Sequence, residues 1–170
     1  MKNRKLWIGL SLALVILIAA MIFFFSAQNA DDSSLLSGAL TRSMLELLVP
    51  GFGTWTPARQ LSWIKTWGHA LRKVAHVLEY ALLGASLFAF LRLRMRQWPQ
   101  RRSRLAAWLA ATLYAGTDEL HQLFVSGRGP GLADVVLDSA GALAGALLAS
   151  LCLCLILRKK SEKEGRESAR

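Results

Sequence analysis

The chain has 170 residues, of which 54% are apolar, and it carries a formal net charge of +10. High hydrophobicity combined with strong basicity is typical of a small polytopic membrane protein with cationic cytoplasmic loops. A nucleic-acid partner is not expected, because the arginines lie between apolar runs and not on a polar domain. The composition therefore indicates a single membrane domain surrounded by a lipid bilayer.

The first predicted element is an uncharged apolar run over residues 6–26, preceded by a short basic segment. A basic start and the small residues after Ser26 are also features of a secretory signal peptide. The apolar run is longer than the core of such a peptide, however, and further runs of spanning length follow it. We therefore predict a first transmembrane helix over residues 6–26.

A polar to amphipathic connection follows, over residues 28–72. Ser33 or Ser34 is predicted to cap a first helix, which would end before Pro50. A second helix is predicted to begin with Pro57 in its first turn, after an N-cap threonine.

Tryptophans are concentrated in this second helix, at Trp63 and Trp67, with Trp55 just before it. Tryptophans at this density beside a spanning segment favour an amphipathic helix that lies at the membrane–water interface. The alternative is that they form the core of a small soluble cap.

Three more transmembrane helices are predicted, over residues 74–93, 105–125 and 132–157. A glycine-proline turn at residues 126–131 joins the last two. The fold class is therefore all-α: a polytopic four-transmembrane-helix bundle with an amphipathic interfacial helical segment between transmembrane helices 1 and 2. We expect one membrane domain over residues 1–157 and a charged cytoplasmic tail over residues 158–170.

The distribution of positive charge predicts the orientation in the plasma membrane. Of the 21 lysines and arginines, fifteen lie in the N-terminus, the loop between the second and third spans, and the C-terminal tail. Because cytoplasmic segments are enriched in lysine and arginine, we predict that both termini are cytoplasmic.

In this topology the ionisable residues of the last three spans collect near the extracytoplasmic surface. Lys73, His76 and Glu79 step by three along one helix, and Tyr80 lies four residues after His76, so all four are expected to share one stripe. Glycines and alanines continue the polar stripes of the third and fourth spans, which favours close helix packing there. The predicted pocket residues are Lys73, His76, Glu79, Tyr80, Asp118, Glu119, Gln122, Arg128, Asp134 and Asp138.

Ionisable residues within a membrane usually mark a functional site, and we therefore predict a polar pocket that opens outward. The alternative is a structural ion-pair network that compensates the charges of the carboxylates, such as Glu79, Asp118 and Asp138. The cations available for it are Lys73, Arg128, Arg72 and a protonated His76. His121 points away from the Asp118 stripe and is the weakest candidate for a role.

Five short motifs are spread over residues 23–146: Phe25-Ser-Ala-Gln28, Lys73-x-x-His76-x-x-Glu79-Tyr80, Asp118-Glu119-x-x-Gln122-x-Phe124, Gly127-Arg128 and Asp134-x-x-x-Asp138-x-x-Gly141. Together they resemble the motifs of the VanZ-like family. The resemblance implies a four-helix integral membrane protein, and it implies an association with resistance to the glycopeptide teicoplanin. The chain departs from the family pattern at residues 129–131, where Gly-Pro-Gly replaces small polar residues.

Three functions are compatible with these residues. The first is binding of a cell-envelope lipid, a lipid-linked cell-wall precursor or the lipoglycopeptide itself. The second is a membrane enzyme acting on a lipid headgroup, with His76, Glu79 and Asp118 as candidate acid–base residues. The third is a metal or ion site, with candidate ligands His76, Glu79, Asp118, Glu119 and Asp138. No zincin motif, nucleophile elbow or phosphate-binding loop favours a reaction, so binding is preferred and no cofactor is expected.

Overall fold

The computed structural model describes residues 2–129 and 131–168, and within them the regular structure is helical. The all-α prediction is therefore confirmed. The five α-helices and one short 3-10 turn (Phe52–Thr54) occur in this order: α1 (Lys2–Ser26), α2 (Ala30–Leu48), α3 (Pro57–Arg94), α4 (Gln100–Gln122) and α5 (Leu132–Ser168).

Helix α3 is the centre of the fold, since it packs against α1, α2, α4 and α5. It has 38 residues, which at 1.5 Å per residue gives a length of about 57 Å. The sequence predicted an interfacial helix followed by a distinct span here, but residues 57–94 form one uninterrupted helix. The physical reason is that no proline follows Pro57 in this segment, and isolated glycines such as Gly68 and Gly84 weaken a helix without ending it.

The start of α2 also differs from the prediction. Asn29, and neither Ser33 nor Ser34, is the N-cap residue: its side-chain oxygen accepts a hydrogen bond of 2.8 Å from the backbone N–H of Asp32. Asparagine is among the strongest N-cap residues, so the helix begins one turn earlier than expected. The predicted start of α3 at Pro57 is confirmed.

Glycine allows α3 and α5 to approach backbone to backbone. A Cβ atom added to Gly141 or Gly145 of α5 would overlap the carbonyl groups of Val77 or Ala81 on α3, respectively. A Cβ atom on Gly84 of α3 would similarly overlap a carbonyl of α5. The predicted close packing of the small-residue stripe is therefore confirmed for α5, and Ala111 and Ala115 of α4 are likewise fully buried.

Helices α1, α3, α4 and α5 alternate in direction, as two sets of contacts show. At one end, Arg4 near the start of α1 donates a hydrogen bond to the carbonyl of Leu93 near the end of α3. At the other end, the backbone N–H of Ala30, which follows α1, donates to the carbonyl of Ser126, which follows α4. The candidate site lies at this second end.

Three of the described helices are long and apolar enough to cross a membrane: α1, α3 and α5. The chain is thus a membrane protein by its composition. Helix α4 has 23 residues but does not reach this hydropathy, because it begins with several arginines and ends with polar residues. Three of these polar residues, Asp118, Glu119 and Gln122, are buried against the other helices.

A second, smaller apolar cluster lies beside the bundle, where α2, the 3-10 turn and the first turns of α3 meet. Leu45, Phe52 and Ile64 are its buried residues, and Trp55 and Trp63 pack against them. These two tryptophans therefore contribute to a cap, which was the alternative to the interfacial prediction. The outer face of α2 is different, because it exposes apolar side chains such as Leu47 and Leu48.

Helix α5 extends through most of the predicted tail, up to Ser168. Exposed ion pairs spaced by four residues join Arg158 to Glu162 and Lys160 to Glu164. Such pairs support a solvated helix. The last two residues of the predicted tail lie outside the described part of the chain.

Candidate functional site

A cavity of about 280 Å³, which we call the polar cavity, lies where α2 and α4 approach α3 and α5. Seven of the ten predicted pocket residues line it: Lys73, His76, Glu119, Gln122, Arg128, Asp134 and Asp138. Glu79, Tyr80 and Asp118 do not line it. The structure thus brings most of the predicted residues to one place, and it adds residues of α2 that were not predicted, Ser33 and Ser34.

The charged residues of α3 face the acids of α5 across this cavity. Lys73 forms an ion pair with Asp134. One turn further along each helix, His76 Nδ1 lies 3.9 Å from Asp138 Oδ2. The network alternative placed Glu79 among the groups compensated by Lys73, but Lys73 pairs with Asp134 instead, because both side chains project into the same space between α3 and α5.

Asp118 lies behind the polar cavity, in a buried hydrogen-bonded cluster with α1. Ser26 Oγ donates to Asp118 Oδ2 at 2.9 Å, and Gln122 Nε2 donates to Ser26 Oγ at 2.8 Å. The second carboxylate oxygen of Asp118 is buried and has no hydrogen-bond partner among the described residues. Ser26 was not predicted as a site residue, although it belongs to the first of the five motifs.

The turn between α4 and α5 is held by contacts to three helices. The backbone N–H of Gly131 donates to Glu119 Oε2 at 2.9 Å, and Arg128 Nη2 donates to the carbonyl of Phe25 at 3.1 Å. Gly127 has a φ of +74° and lies against Ala30, where a Cβ atom would be 2.9 Å from the alanine methyl. The departure from the family pattern at residues 129–131 includes Pro130, which lies outside the described residues.

The predicted common stripe of Lys73, His76, Glu79 and Tyr80 is wrong for Glu79. A step of three residues turns a helix by about 300°, so Glu79 lies about 120° around α3 from Lys73. Tyr80 is fully buried in the bundle core, with its ring 6.3 Å from that of Tyr114. Seven residues turn a helix by about 700°, so Tyr80 does lie on the Lys73 stripe, about 10 Å further along α3. Its burial makes Tyr80 a core residue, and its hydroxyl has no hydrogen-bond partner among the described residues.

Glu79 lines a second cavity of about 200 Å³ between α2, α3 and the end of α1, which we call the apolar groove. Its apolar lining includes Phe25, Leu36, Leu40 and Leu71. The sequence did not predict the groove, because periodicity does not reveal against which side of α3 the helix α2 packs.

Arg72 is the most notable residue that was not in the predicted pocket. Its Nη1 donates to Ser34 Oγ and Ser37 Oγ, at 3.0 Å each. Arg72 was noted in the sequence only as an available cation beside Lys73. By contrast, the ring of His121 lies 4.7 Å from that of Phe23 and lines neither cavity.

The candidate catalytic residues do not all line one cavity. His76 lines both cavities, Glu79 lines only the apolar groove, and Asp118 lines neither. Among the residues that the structure describes, no three histidine, cysteine, aspartate or glutamate side chains are placed so that they could hold a metal ion. The charged and hydroxyl side chains around the polar cavity could hold a polar ligand by ion pairs and hydrogen bonds.

Fold and site together define a small helical membrane protein whose ionisable side chains surround a cavity at one end of its bundle. The sequence model of the VanZ/LLP1 family matches residues 11–154, and the chain belongs to this family. The resemblance seen in the motifs is thereby confirmed. A comparison with curated proteins and one with solved structures gave no match.

Proposed function

We propose that this VanZ/LLP1 protein binds the headgroup of a cell-envelope lipid or a lipid-linked cell-wall precursor in the polar cavity. Binding would contribute to teicoplanin tolerance by keeping such a molecule from the antibiotic. The observation that carries the proposal is the cavity itself, in which charged side chains of α3, α5 and the α4–α5 turn converge. Intramembrane ionisable residues are costly and are typical of binding sites.

The proposal includes four membrane spans, with both termini cytoplasmic and the cavity facing outward. Helix α4 would be the additional span. Its buried polar residues face the other helices, while Leu109, Leu113 and Leu120 are exposed on its outer side. That outer side is apolar and suits contact with lipid tails. The excess of positive charge at the opposite end of the bundle favours this orientation.

A second candidate function is acid–base catalysis on the same headgroup. The observation that favours it is the position of His76, which faces the Asp138 carboxylate and lines both cavities. A histidine oriented by a carboxylate is a common acid–base unit. Binding is preferred because Glu79 and Asp118 do not line the polar cavity together with His76.

The test compares isosteric substitutions that preserve shape and most hydrogen bonding. Asp138→Asn and His76→Gln are expected to leave expression and detergent melting temperature near the wild-type values and to abolish growth protection against teicoplanin. Glu46→Gln is the matched control, since Glu46 lies on α2 in an exposed pair with Arg42, outside both cavities. Full protection in both cavity variants would contradict the proposal. A parallel fall of protection and melting temperature would support a purely structural network instead.

The same variants distinguish the catalytic candidate. If cells carrying His76→Gln accumulate a lipid that wild-type cells convert, the enzyme hypothesis replaces binding. Unchanged lipid composition together with lost protection is the expected result.

A further inference from the structure

The polar cavity and the apolar groove adjoin each other at a shared wall. Four residues line both spaces: Ser33, Arg72, His76 and Arg128. A molecule placed across this wall would have one end among charged side chains and the other among leucines. Such a site suits an amphipathic ligand better than a soluble polar one.

Two guanidinium groups stand at this wall without an acidic partner. Among the described residues, neither Arg72 nor Arg128 has a carboxylate oxygen within 4.0 Å, whereas the charge of Lys73 is paired with Asp134. Arg72 donates to serine hydroxyl groups and Arg128 to a backbone carbonyl. A guanidinium retains free N–H donors in such contacts, and its planar fork matches the oxygens of a phosphate.

The surroundings of the two arginines favour an anion between them. Burial lowers the pKa of Arg128; the charges of Asp118 and Glu119 oppose this effect, and the Arg72 charge adds to it. Arg72 and Arg128 both line the two cavities, so their like charges lie near each other and repel. A bound anion would relieve this repulsion and compensate the partial loss of hydration.

The apolar side of the wall is suited to a hydrocarbon chain. Leu36 and Leu40 of α2 and Leu71 of α3 line the groove. The outer face of α2 also exposes Leu35, Leu47 and Leu48, as expected of a helix that contacts lipid. A chain in the groove could therefore remain continuous with the bilayer.

We infer that the ligand is a phosphate-bearing lipid, whose phosphate lies between Arg72 and Arg128 and whose first chain segment occupies the apolar groove. The inference rests on the proposed function and narrows its ligand to one chemical class. We do not expect neutral lipids or phosphate esters without a hydrocarbon chain to be ligands, since each would contact residues on only one side of the shared wall.

The experiment measures the affinity of the purified full-length protein, in a neutral detergent, for three probes by native mass spectrometry. Phosphatidic acid is expected to bind. Diacylglycerol with the same chains and glycerol 3-phosphate are each expected to bind at least about tenfold more weakly, since a charge-assisted hydrogen bond or a buried chain accounts for such a factor. Equal binding of diacylglycerol would overturn the phosphate assignment, and equal binding of glycerol 3-phosphate would overturn the assignment of the groove.

Variants locate the two halves of the ligand. Arg72→Gln and Arg128→Gln are expected to weaken phosphatidic acid binding about tenfold or more. Arg42→Gln, on the outer side of α2, is the control and is expected to leave the affinity unchanged. Leu36→Trp should obstruct the groove and weaken binding, whereas Leu35→Trp, at an exposed position outside the groove, should not. Arg128→Gln also removes a contact to α1. If its melting temperature falls, the affinity of Arg72→Gln for phosphatidic acid is the measurement that tests the inference. Unchanged affinity in Arg72→Gln would overturn the inference.

A growth assay separates this inference from the proposed function. If Arg72→Gln loses phosphatidic acid binding but still protects cells against teicoplanin, the lipid assignment stands and the role in tolerance fails. If it loses protection while its affinity is unchanged, the cavity keeps its role and the lipid-phosphate assignment is wrong.

Discussion

Ser26, in the last turn of α1, donates a buried hydrogen bond of 2.9 Å to the carboxylate of Asp118 in α4. Ser26 also accepts a bond from Gln122, so one hydroxyl joins the first helix to the polar residues of the fourth. This contact places the end of α1 beside the candidate site, since Phe25 in the same turn accepts a hydrogen bond from Arg128.

The first prediction concerns this hydroxyl. Ser26→Ala is expected to lower the free energy of unfolding by about 1–3 kcal/mol, because Asp118 and Gln122 each lose a buried hydrogen bond and keep only the longer one between them, at 3.4 Å. Ser43→Ala is the control, since Ser43 is exposed and bonds only to the carbonyl of Ala39 in its own helix. Melting in detergent measures both, and equal melting temperatures would show that Asp118 does not depend on Ser26.

The second prediction compares two tyrosines of the bundle core. The Tyr80 hydroxyl has no partner among the described residues, whereas the Tyr114 hydroxyl donates to the carbonyl of Ala19 at 2.7 Å. Tyr80→Phe is therefore expected to leave the melting temperature unchanged or to raise it. Tyr114→Phe should cost about 0.5–1.5 kcal/mol, the usual net contribution of a hydrogen bond. The reverse order would mean that the Tyr80 hydroxyl has a polar role in the site.

The third prediction concerns the contact between α3 and α5. Gly141→Ala and Gly145→Ala are expected to be destabilising by about 1–3 kcal/mol or more, because the added methyl overlaps a backbone carbonyl that cannot rotate away. Gly116 of α4 is the matched control, since a Cβ atom there meets nothing within 4 Å. Gly116→Ala should be neutral or stabilising by up to about 1 kcal/mol, the helix-propensity difference. Tolerance of alanine at both α5 positions would refute the close approach.

The fourth prediction tests the pairing of Lys73. The double substitution Lys73→Glu with Asp134→Lys should restore part of the stability that each single change removes, whereas Lys73→Glu with Glu79→Lys should not. The coupling is expected to be small, about 0.2–1 kcal/mol, because the two side chains are 38% and 34% exposed. A double-mutant cycle on melting data measures it. If Glu79→Lys instead rescued the stability of Lys73→Glu, the result would support an ion pair between Lys73 and Glu79, which the sequence suggested.

The fifth prediction tests the proposed orientation. A reporter that is active only outside the cytoplasm should function when fused after Thr54 or Gly127, and should be inactive after Gln100 or Lys160. The reason is the concentration of lysine and arginine at the end of the bundle that holds the last two positions. Activity after Gln100 would place the polar cavity on the cytoplasmic side.

The sequence by itself determined the helical class and several of the helix boundaries, because hydropathy and capping are local properties of the chain. It predicted the ends of α1 and the starts of α3 and α5 to within a few residues. It also predicted that Gly141 and Gly145 face another helix, since small residues on the polar stripe allow close approach. The gathering of Lys73 and Asp134 at one end of the bundle followed from alternating helix directions.

Only the tertiary structure decided which side chains share a space. Glu79 was predicted to share a stripe with Lys73, but its rotation of about 120° around α3 places it in the apolar groove. Tyr80 lies only about 20° around the helix from Lys73, but about 10 Å further along it, where the surrounding helices bury its ring in the core. Arg72 became part of the site because α2 packs beside it and supplies Ser34 and Ser37. The physical reason is that periodicity defines a helix face without defining its partner, and the partner depends on packing between segments far apart in the chain.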